Sequence, residues 1–126
     1  MPTVGESIVA SPTYLAKHAK IVKSFVQASL QGWADAKKDP KAAAASMVTQ
    51  FPTAGSQAQM EAELAQDLKL VWCAGDGATH IGPVSNSVWN NTATLLKQSD
   101  LLDQNAKVSD LVDQSYAGTG FASCSK

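Results

Sequence analysis

Cys73 and His80 lie close together in the sequence and are the residues of this chain that most resemble a nucleophile with its base. A thiol becomes a good nucleophile at neutral pH when a neighbouring imidazole favours the thiolate. Such pairs are made by the fold rather than by sequence proximity, and no nearby pattern supplies an oxyanion site. We therefore interpret Cys73 as a buried thiol and His80 as an exposed loop residue, and we predict no catalytic residue.

The other polar residues do not form the pattern of a metal site or an acid–base pair. His18 and His80 fall in different predicted elements, and the sequence has neither a C-x-x-C nor an E-x-x-H motif, the spacings that zinc and iron sites use. Glu61 and Glu63 are two positions apart, which directs them to different sides of a helix. Residues 75–77 (Gly-Asp-Gly) lack the lysine of a phosphate loop and are interpreted as a turn. We predict no metal and no cofactor.

Three tryptophans remain as candidates for ligand contact, because aromatic faces often form the walls of binding sites. Trp33, Trp72 and Trp89 are each in phase with the apolar stripe of a predicted helix. For all three we expect packing in the core.

Composition limits the classes of protein that this chain represents. It has 126 residues, 44% of them hydrophobic and 17% charged, with a net charge of −1, so we predict one folded domain over residues 1–126. All ten basic residues are lysines, which disfavours nucleic acid as a partner. No apolar run is long enough to span a bilayer, and we predict no export signal in this chain. Whether Cys73 and Cys124 pair stays open.

Helix signals dominate the chain. Serine or aspartate followed by proline predicts helix starts at Ser11 and Asp39, and Ser56 with Gln59 resembles a capping box. A fourth helix is predicted after Ser85 and a brief fifth helix from Ser109, which would use Leu111, Val112 and Tyr116. We predict a mostly α fold of about five helices over residues 11–116, with a flexible tail at 117–126.

One short β-favouring run precedes the helices. Residues Thr3–Ala10 predict a strand, but one strand cannot form a sheet alone and the rest of the chain offers no partner for it.

Several segments resemble bacterial substrate-binding proteins of the nitrate, sulfonate, taurine and thiamine-pyrimidine-precursor family, whose members serve ABC transporters. In order along the chain they are Phe25–Ala36 with its Gly32-Trp33, Asp39-Pro40, Ala42-Ala43, Gln57–Leu70, Gly82, Trp89, Leu95-Leu96 and Leu101-Leu102-Asp103. Family members are about twice this length and have two α/β lobes, so the chain resembles the C-terminal part of a type II periplasmic binding-protein lobe. The family's glycine before Leu-Leu-Asp is Asp100 here.

This resemblance implies a non-enzymatic ligand-binding component, or a fragment of one, of an importer for a small polar organic molecule or anion. Residues 1–10 would be the strand and hinge segment, which puts Glu6 and Ser7 at the ligand, with Trp89 as a third contact. The partners implied are the small-molecule ligand and the membrane permease of the transporter. The parent protein would be periplasmic or extracytoplasmic, and this chain, which has no signal peptide, cytoplasmic as expressed.

Two other functions stay open. A stand-alone helical interaction module derived from such a lobe would keep the fold without transport. Fungal relatives that resemble this family synthesise the thiamine pyrimidine, but their cysteine-rich motif does not occur here. In either non-enzymatic case the apolar surface that missing lobes would cover predicts a homodimer, with residues 7–10 pairing between chains.

Overall fold

The computed structural model describes residues 3–5, 7–72 and 81–117, and it is mostly helical. The elements are α1 (Pro12–Lys38), α2 (Pro40–Gln50), α3 (Gln57–Val71), α4 (Asn86–Gln98), α5 (Val108–Leu111) and the short 3-10 helix η1 (Gln114–Ala117). The prediction of a mostly α chain with about five helices is confirmed. None of the helices in these ranges has the length and apolarity that crossing a membrane requires.

The predicted N-terminal strand is wrong for the residues that are described. Residues 3–5 and 7–10 have no regular secondary structure, and no strand occurs elsewhere in the described ranges. A strand persists only when a neighbouring strand accepts its N–H groups and donates to its carbonyl groups. The first residues therefore follow an irregular path, held by side chains of the helices.

The predicted helix starts are confirmed and have a local cause. The Tyr14 backbone N–H donates to Ser11 Oγ at 3.2 Å, and the Ala42 N–H donates to Asp39 Oδ1 at 3.0 Å. The N–H groups of the first helical turn have no partner within the helix, so a side-chain oxygen at the N-cap stabilises the helix. The capping box of Ser56 and Gln59 is complete in both directions.

The C-terminal part departs from the predicted fifth helix. Helix α5 begins at Val108, one residue before the predicted start, and its C-cap is Val112, whose φ of −123° and ψ of 120° are extended. Tyr116 lies in η1 instead. Backbone N–H groups of Asn105 and Ser115 donate to the carboxylates two residues before them, at 2.7 and 2.9 Å. These turns compete with a continuous helix.

The helices pack as two small groups joined through α1. Helix α2 contacts α1 and α3, η1 contacts α1, and α5 contacts α4. Within the described ranges only four residues are buried: Leu30, Ala44, Ile81 and Val88. A domain of this length that is stable alone buries roughly two thirds of its unfolded surface. A large part of the apolar surface is therefore left uncovered.

The apolar stripe predicted for α1 is only partly buried. Leu30 is buried, but Phe25 is 59% exposed. The reason is that the other helices cover one side of a wide apolar arc and leave Tyr14, Ile21 and Phe25 outside. The helix also bends at His18, whose φ of −133° and ψ of 28° are not helical.

The three tryptophans are partly exposed rather than fully buried. Trp72 forms the C-cap of α3, and the ammonium group of Lys37 lies 5.1 Å from its ring centroid. A cation at this distance from an indole is attracted by the ring. None of the three tryptophans is fully buried, so the prediction of core packing is confirmed only in part.

Asp100 occupies the position, just after α4, at which the resemblance described above expects a glycine. Helix α4 ends in a Schellman motif, in which the Leu101 N–H donates to the Leu96 carbonyl and the Asp100 N–H to the Lys97 carbonyl. Asp100 has a φ of 55°, in the left-handed region that glycine adopts without a steric cost.

We expect Asp100→Gly to stabilise the chain by about 0.5–1 kcal/mol. Removing the left-handed strain gains about 1–2 kcal/mol, and the greater freedom of the unfolded chain costs about 0.4–1 kcal/mol. Asp100→Ala, which keeps the strain and loses the polar side chain, should destabilise it. Urea unfolding followed by circular dichroism measures both, and a lower midpoint for the glycine variant would contradict this explanation.

Candidate functional site

One long-range hydrogen bond joins the N-terminal segment to α4. The Val4 backbone N–H donates to Thr92 Oγ1 at 2.8 Å, and the Thr92 hydroxyl donates to the Val88 carbonyl at 2.9 Å. The hydroxyl group thus uses both its acceptor and its donor capacity. Val88 is buried, so this bond attaches the segment next to the core.

The bond connects the segment that carries one predicted ligand contact with the helix that carries another. Trp89 lies three residues before Thr92, about one helical turn away. Ser7 is exposed and follows Val4 by three residues, which limits its distance from Val4 to about 11 Å. Glu6, the third predicted contact, lies outside the described residues. The hydrogen bond thus relates the segment that contains Ser7 to the helix that contains Trp89.

The indole nitrogen of Trp89 is the unusual polar atom of this region. Trp89 Nε1 is buried and has no hydrogen-bond partner among the described residues. A buried donor without an acceptor costs roughly 1–3 kcal/mol. An acceptor atom that reached this N–H group would recover that free energy, which makes Trp89 a suitable donor to a polar ligand.

The segment that leads into α4 is held by η1. The Val84 N–H donates to Gln114 Oε1 at 2.8 Å, and Gln114 Nε2 lies 3.4 Å from Asn86 Oδ1. Next to Gln114, hydrogen bonds from the Ser115 hydroxyl and backbone N–H lower the pKa of Asp113 below its ordinary value of 3.8. The carboxylate form thus favours the turn that presents Gln114.

We expect the carboxyl group of Asp113 to titrate below 3.8, and Ser115→Ala to raise this pKa by removing the first of the two donors. Because the folded pKa is the lower one, the stabilisation is present above the unfolded pKa and is lost as the pH falls through the folded pKa. Carbon-detected NMR titration measures the midpoint. An unchanged midpoint in the alanine variant would contradict the assigned cause.

Replacing Thr92 with valine, which has nearly the same shape, should release the N-terminal segment. The Val4 N–H loses its acceptor, and we expect a loss of about 0.5–1.5 kcal/mol together with faster amide exchange at Val4. The matched control is Thr94→Val, because the Thr94 hydroxyl bonds only within α4, to the Asn90 carbonyl. Hydrogen exchange by NMR tests this, and equal Val4 exchange in both variants would show that the bond does not hold the segment.

A shallow groove of about 500 Å³ lies between the end of α1 and the start of α2. Small residues line it together with Asp35, Lys38 and Asp39. Asp35 accepts a hydrogen bond from Gln31 and Asp39 caps α2, so both carboxylates already have structural roles. The described ranges contain no cluster of three or more metal-ligating side chains.

The residues considered for nucleophilic chemistry, Cys73 and His80, lie outside the described residues. The same is true of the turn at residues 75–77, of Cys124 and of the predicted flexible tail from residue 118 onward. Only its first predicted residue, Ala117, is described, as the end of η1.

Comparison with known proteins gives one match. A family model described as "NMT1/THI5 like" matches residues 3–43, the N-terminal third of the chain. This match supports the resemblance at the level of the family, which is in general one of binding proteins, although THI5 itself has a synthase role. No curated protein and no solved structure matches the chain.

The site also contains residues that sequence reasoning missed. Thr92 is a partner of the N-terminal segment across 88 positions, and no local signal marks such a contact. Gln114 is the partner of Val84 across 30 positions. The polar type of both residues was visible in the sequence, but their partners depend on how the helices pack.

Proposed function

We propose that this chain is a non-enzymatic ligand-binding component, or the C-terminal portion of one, of an ABC-type importer for a small polar organic molecule or anion. In that role its partners are the ligand and the membrane permease, and the site of action of the parent protein is extracytoplasmic. Ligand closes the N-terminal hinge segment against α4, and Trp89 donates to an acceptor atom of the ligand.

The observation that carries this proposal is the buried indole N–H of Trp89, which has no partner among the described residues and belongs to the helix that holds the N-terminal segment. The segment belongs to the residues that the NMT1/THI5-like family model matches. Trp89 lies beyond the match, so the hydrogen bond between Val4 and Thr92 is what relates the two. A hydrogen-bond acceptor such as a carboxylate, sulfonate, nitrate or pyrimidine nitrogen satisfies the donor.

The test is a titration of the chain with nitrate, taurine, riboflavin and the hydroxymethyl pyrimidine of thiamine. Indole N–H signals in a ¹H–¹⁵N NMR spectrum report on each tryptophan separately, and Trp89→Phe assigns the signal of Trp89. We expect one of these probes to shift that signal downfield and to raise the unfolding midpoint. At a concentration 100 times the dissociation constant, binding adds about 2.7 kcal/mol.

Trp72→Phe is the matched control, because Trp72 lies at the end of α3 and its ring faces Lys37. It should leave the affinity unchanged, whereas Trp89→Phe should weaken it by about tenfold, the loss of one hydrogen bond. Equal effects of the two variants would contradict the assigned role of Trp89.

A stand-alone dimeric interaction module is the second candidate, and the exposed apolar side chains favour it. Within the part of the chain that the structure describes, eleven large hydrophobic residues are about half exposed or more, among them Val9 at 87% and Leu101 at 74%. Surfaces of this kind mark protein interfaces. Light scattering at micromolar concentration tests it, since a mass of one chain excludes the homodimer.

A further inference from the structure

The N-terminal half of α1 carries exposed apolar residues beside positive charge. Tyr14, Ile21 and Phe25 are 46%, 56% and 59% exposed. Ile21 and Phe25 are one helical turn apart after the bend at His18, and Tyr14 lies one turn before that bend. Lys17 is one turn from both Tyr14 and Ile21, and Lys20 follows at the next turn, both exposed. We name these five residues the basic face.

The stretch of sequence that carries the basic face contains no acidic residue. Residues 7–34 contain three lysines and no aspartate or glutamate. Neither Lys17 nor Lys20 forms a hydrogen bond or an ion pair in the described part of the chain. Pairing of two α1 helices across a symmetric contact therefore places lysine against lysine, which is unfavourable.

Helix α3 presents a surface of opposite charge. Glu63, Asp67 and Leu70 follow one another at steps of four and three, so they lie on one side of α3, and all three are exposed, Leu70 by 73%. Neither carboxylate has a partner within the described ranges. We name these three residues the acidic face.

Within one chain the two faces do not cover each other. Helix α1 packs on α2 and η1, and α3 packs on α2, while both faces stay exposed. We propose that the basic face of α1 binds the acidic face of α3 in a second copy of this chain. A two-fold axis repeats the contact, since the α3 of the first copy then meets the α1 of the second.

The dimensions are adequate for such a dimer. Helix α1 has 27 residues and α3 has 15, about 40 and 22 Å of helix. A stable interface uses roughly 20–30 residues per partner, so the eight residues of the two faces form the centre of this contact rather than the whole of it. An anionic membrane would also attract the basic face, but it would repel the acidic face of the same molecule. A second copy of the chain pairs with both faces and so accounts for more of the charge pattern.

The proposal does not depend on ligand binding. It replaces the predicted pairing of residues 7–10 between chains, because those residues form no strand.

Charge exchange tests the two faces. We expect light scattering at micromolar concentration to give the mass of two chains, and the mass of one chain for both Lys17→Glu/Lys20→Glu and Glu63→Lys/Asp67→Lys. The dimer should weaken about tenfold or more in each variant. An equimolar mixture of the two variants should dimerise again, because each then offers the charge that the other lacks. The control is Lys41→Glu/Lys107→Glu, which makes the same change in net charge as Lys17→Glu/Lys20→Glu at exposed residues elsewhere. It should remain a dimer.

Circular dichroism of each variant confirms that the helices persist. A wild-type mass of one chain overturns the proposal, as does a dimer that survives both exchanges or a mixture that stays monomeric. Binding of monomeric wild-type protein, but not of Lys17→Glu/Lys20→Glu, to vesicles of phosphatidylserine and phosphatidylcholine overturns it in favour of a membrane.

Discussion

Gly82→Ala is expected to lower the free energy of unfolding by about 2–4 kcal/mol, the largest effect of a single methyl group in the described residues. Gly82 has a φ of 106°, which L-residues rarely adopt, and holding an alanine there costs roughly 1–3 kcal/mol. A Cβ atom at this position would lie 3.0 Å from both Leu30 Cδ1 and Leu30 Cδ2 and 3.6 Å from Ala117 Cβ.

Leu30 cannot move away easily, because it is one of the four buried residues, and overpacking a core adds about 1–3 kcal/mol. Gly32→Ala is the matched control: Gly32 lies inside α1 and its added Cβ would meet nothing within 4 Å. That change should stabilise the helix by roughly 0.5–1 kcal/mol. Urea unfolding gives both values. A loss below 1 kcal/mol for Gly82→Ala would mean that α1, η1 and the segment before α4 do not meet tightly at this glycine.

Ile81→Ala is expected to cost about 2–5 kcal/mol. Ile81 is only 1% exposed, so its removal takes buried methyl groups from the core and leaves a cavity. A typical domain is stable by only 5–15 kcal/mol, and Ile81 is one of only four buried residues among those described. A loss of this size therefore leaves a measurable unfolded population at room temperature.

Ile8→Ala makes the same chemical change at a residue that is 50% exposed, and it should cost less than about 1 kcal/mol. Thermal and urea unfolding of the two variants, followed by circular dichroism, give the difference. Equal losses would show that Ile81 is no more important to the core than an isoleucine at the surface.

Local chemistry explains which parts of the fold could be predicted. The starts of α1, α2 and α3 depend on a side chain that caps the N–H groups of the next few residues, so Ser11, Asp39 and Ser56 mark them in the sequence. The predicted strand is absent from the described residues because a strand depends on a partner elsewhere in the chain. Helix α5 is present but does not reach Tyr116, because the Asp113 turn competes with the helix.

Packing explains what could not be predicted. Phe25 and Leu30 are both in phase with an apolar stripe, and only the position of α2 and η1 decides that Leu30 is buried and Phe25 exposed. The candidate site likewise combines features that the sequence suggests with features that depend on packing. The family resemblance suggested Trp89 as a ligand contact. That its Nε1 has no partner among the described residues, and that Val4 bonds to Thr92, is seen only in the folded chain.

Native mass spectrometry tests the central claim, that this chain binds a small polar ligand through Trp89, most directly. The protein would be measured as purified and again after incubation with nitrate, taurine, riboflavin and the thiamine pyrimidine, each beside Trp89→Phe and Trp72→Phe. We predict an added small-molecule mass that is retained in wild type and Trp72→Phe, released on denaturation and reduced in Trp89→Phe. Bare protein in every sample, or an added mass that is equal in the two variants, would contradict the account.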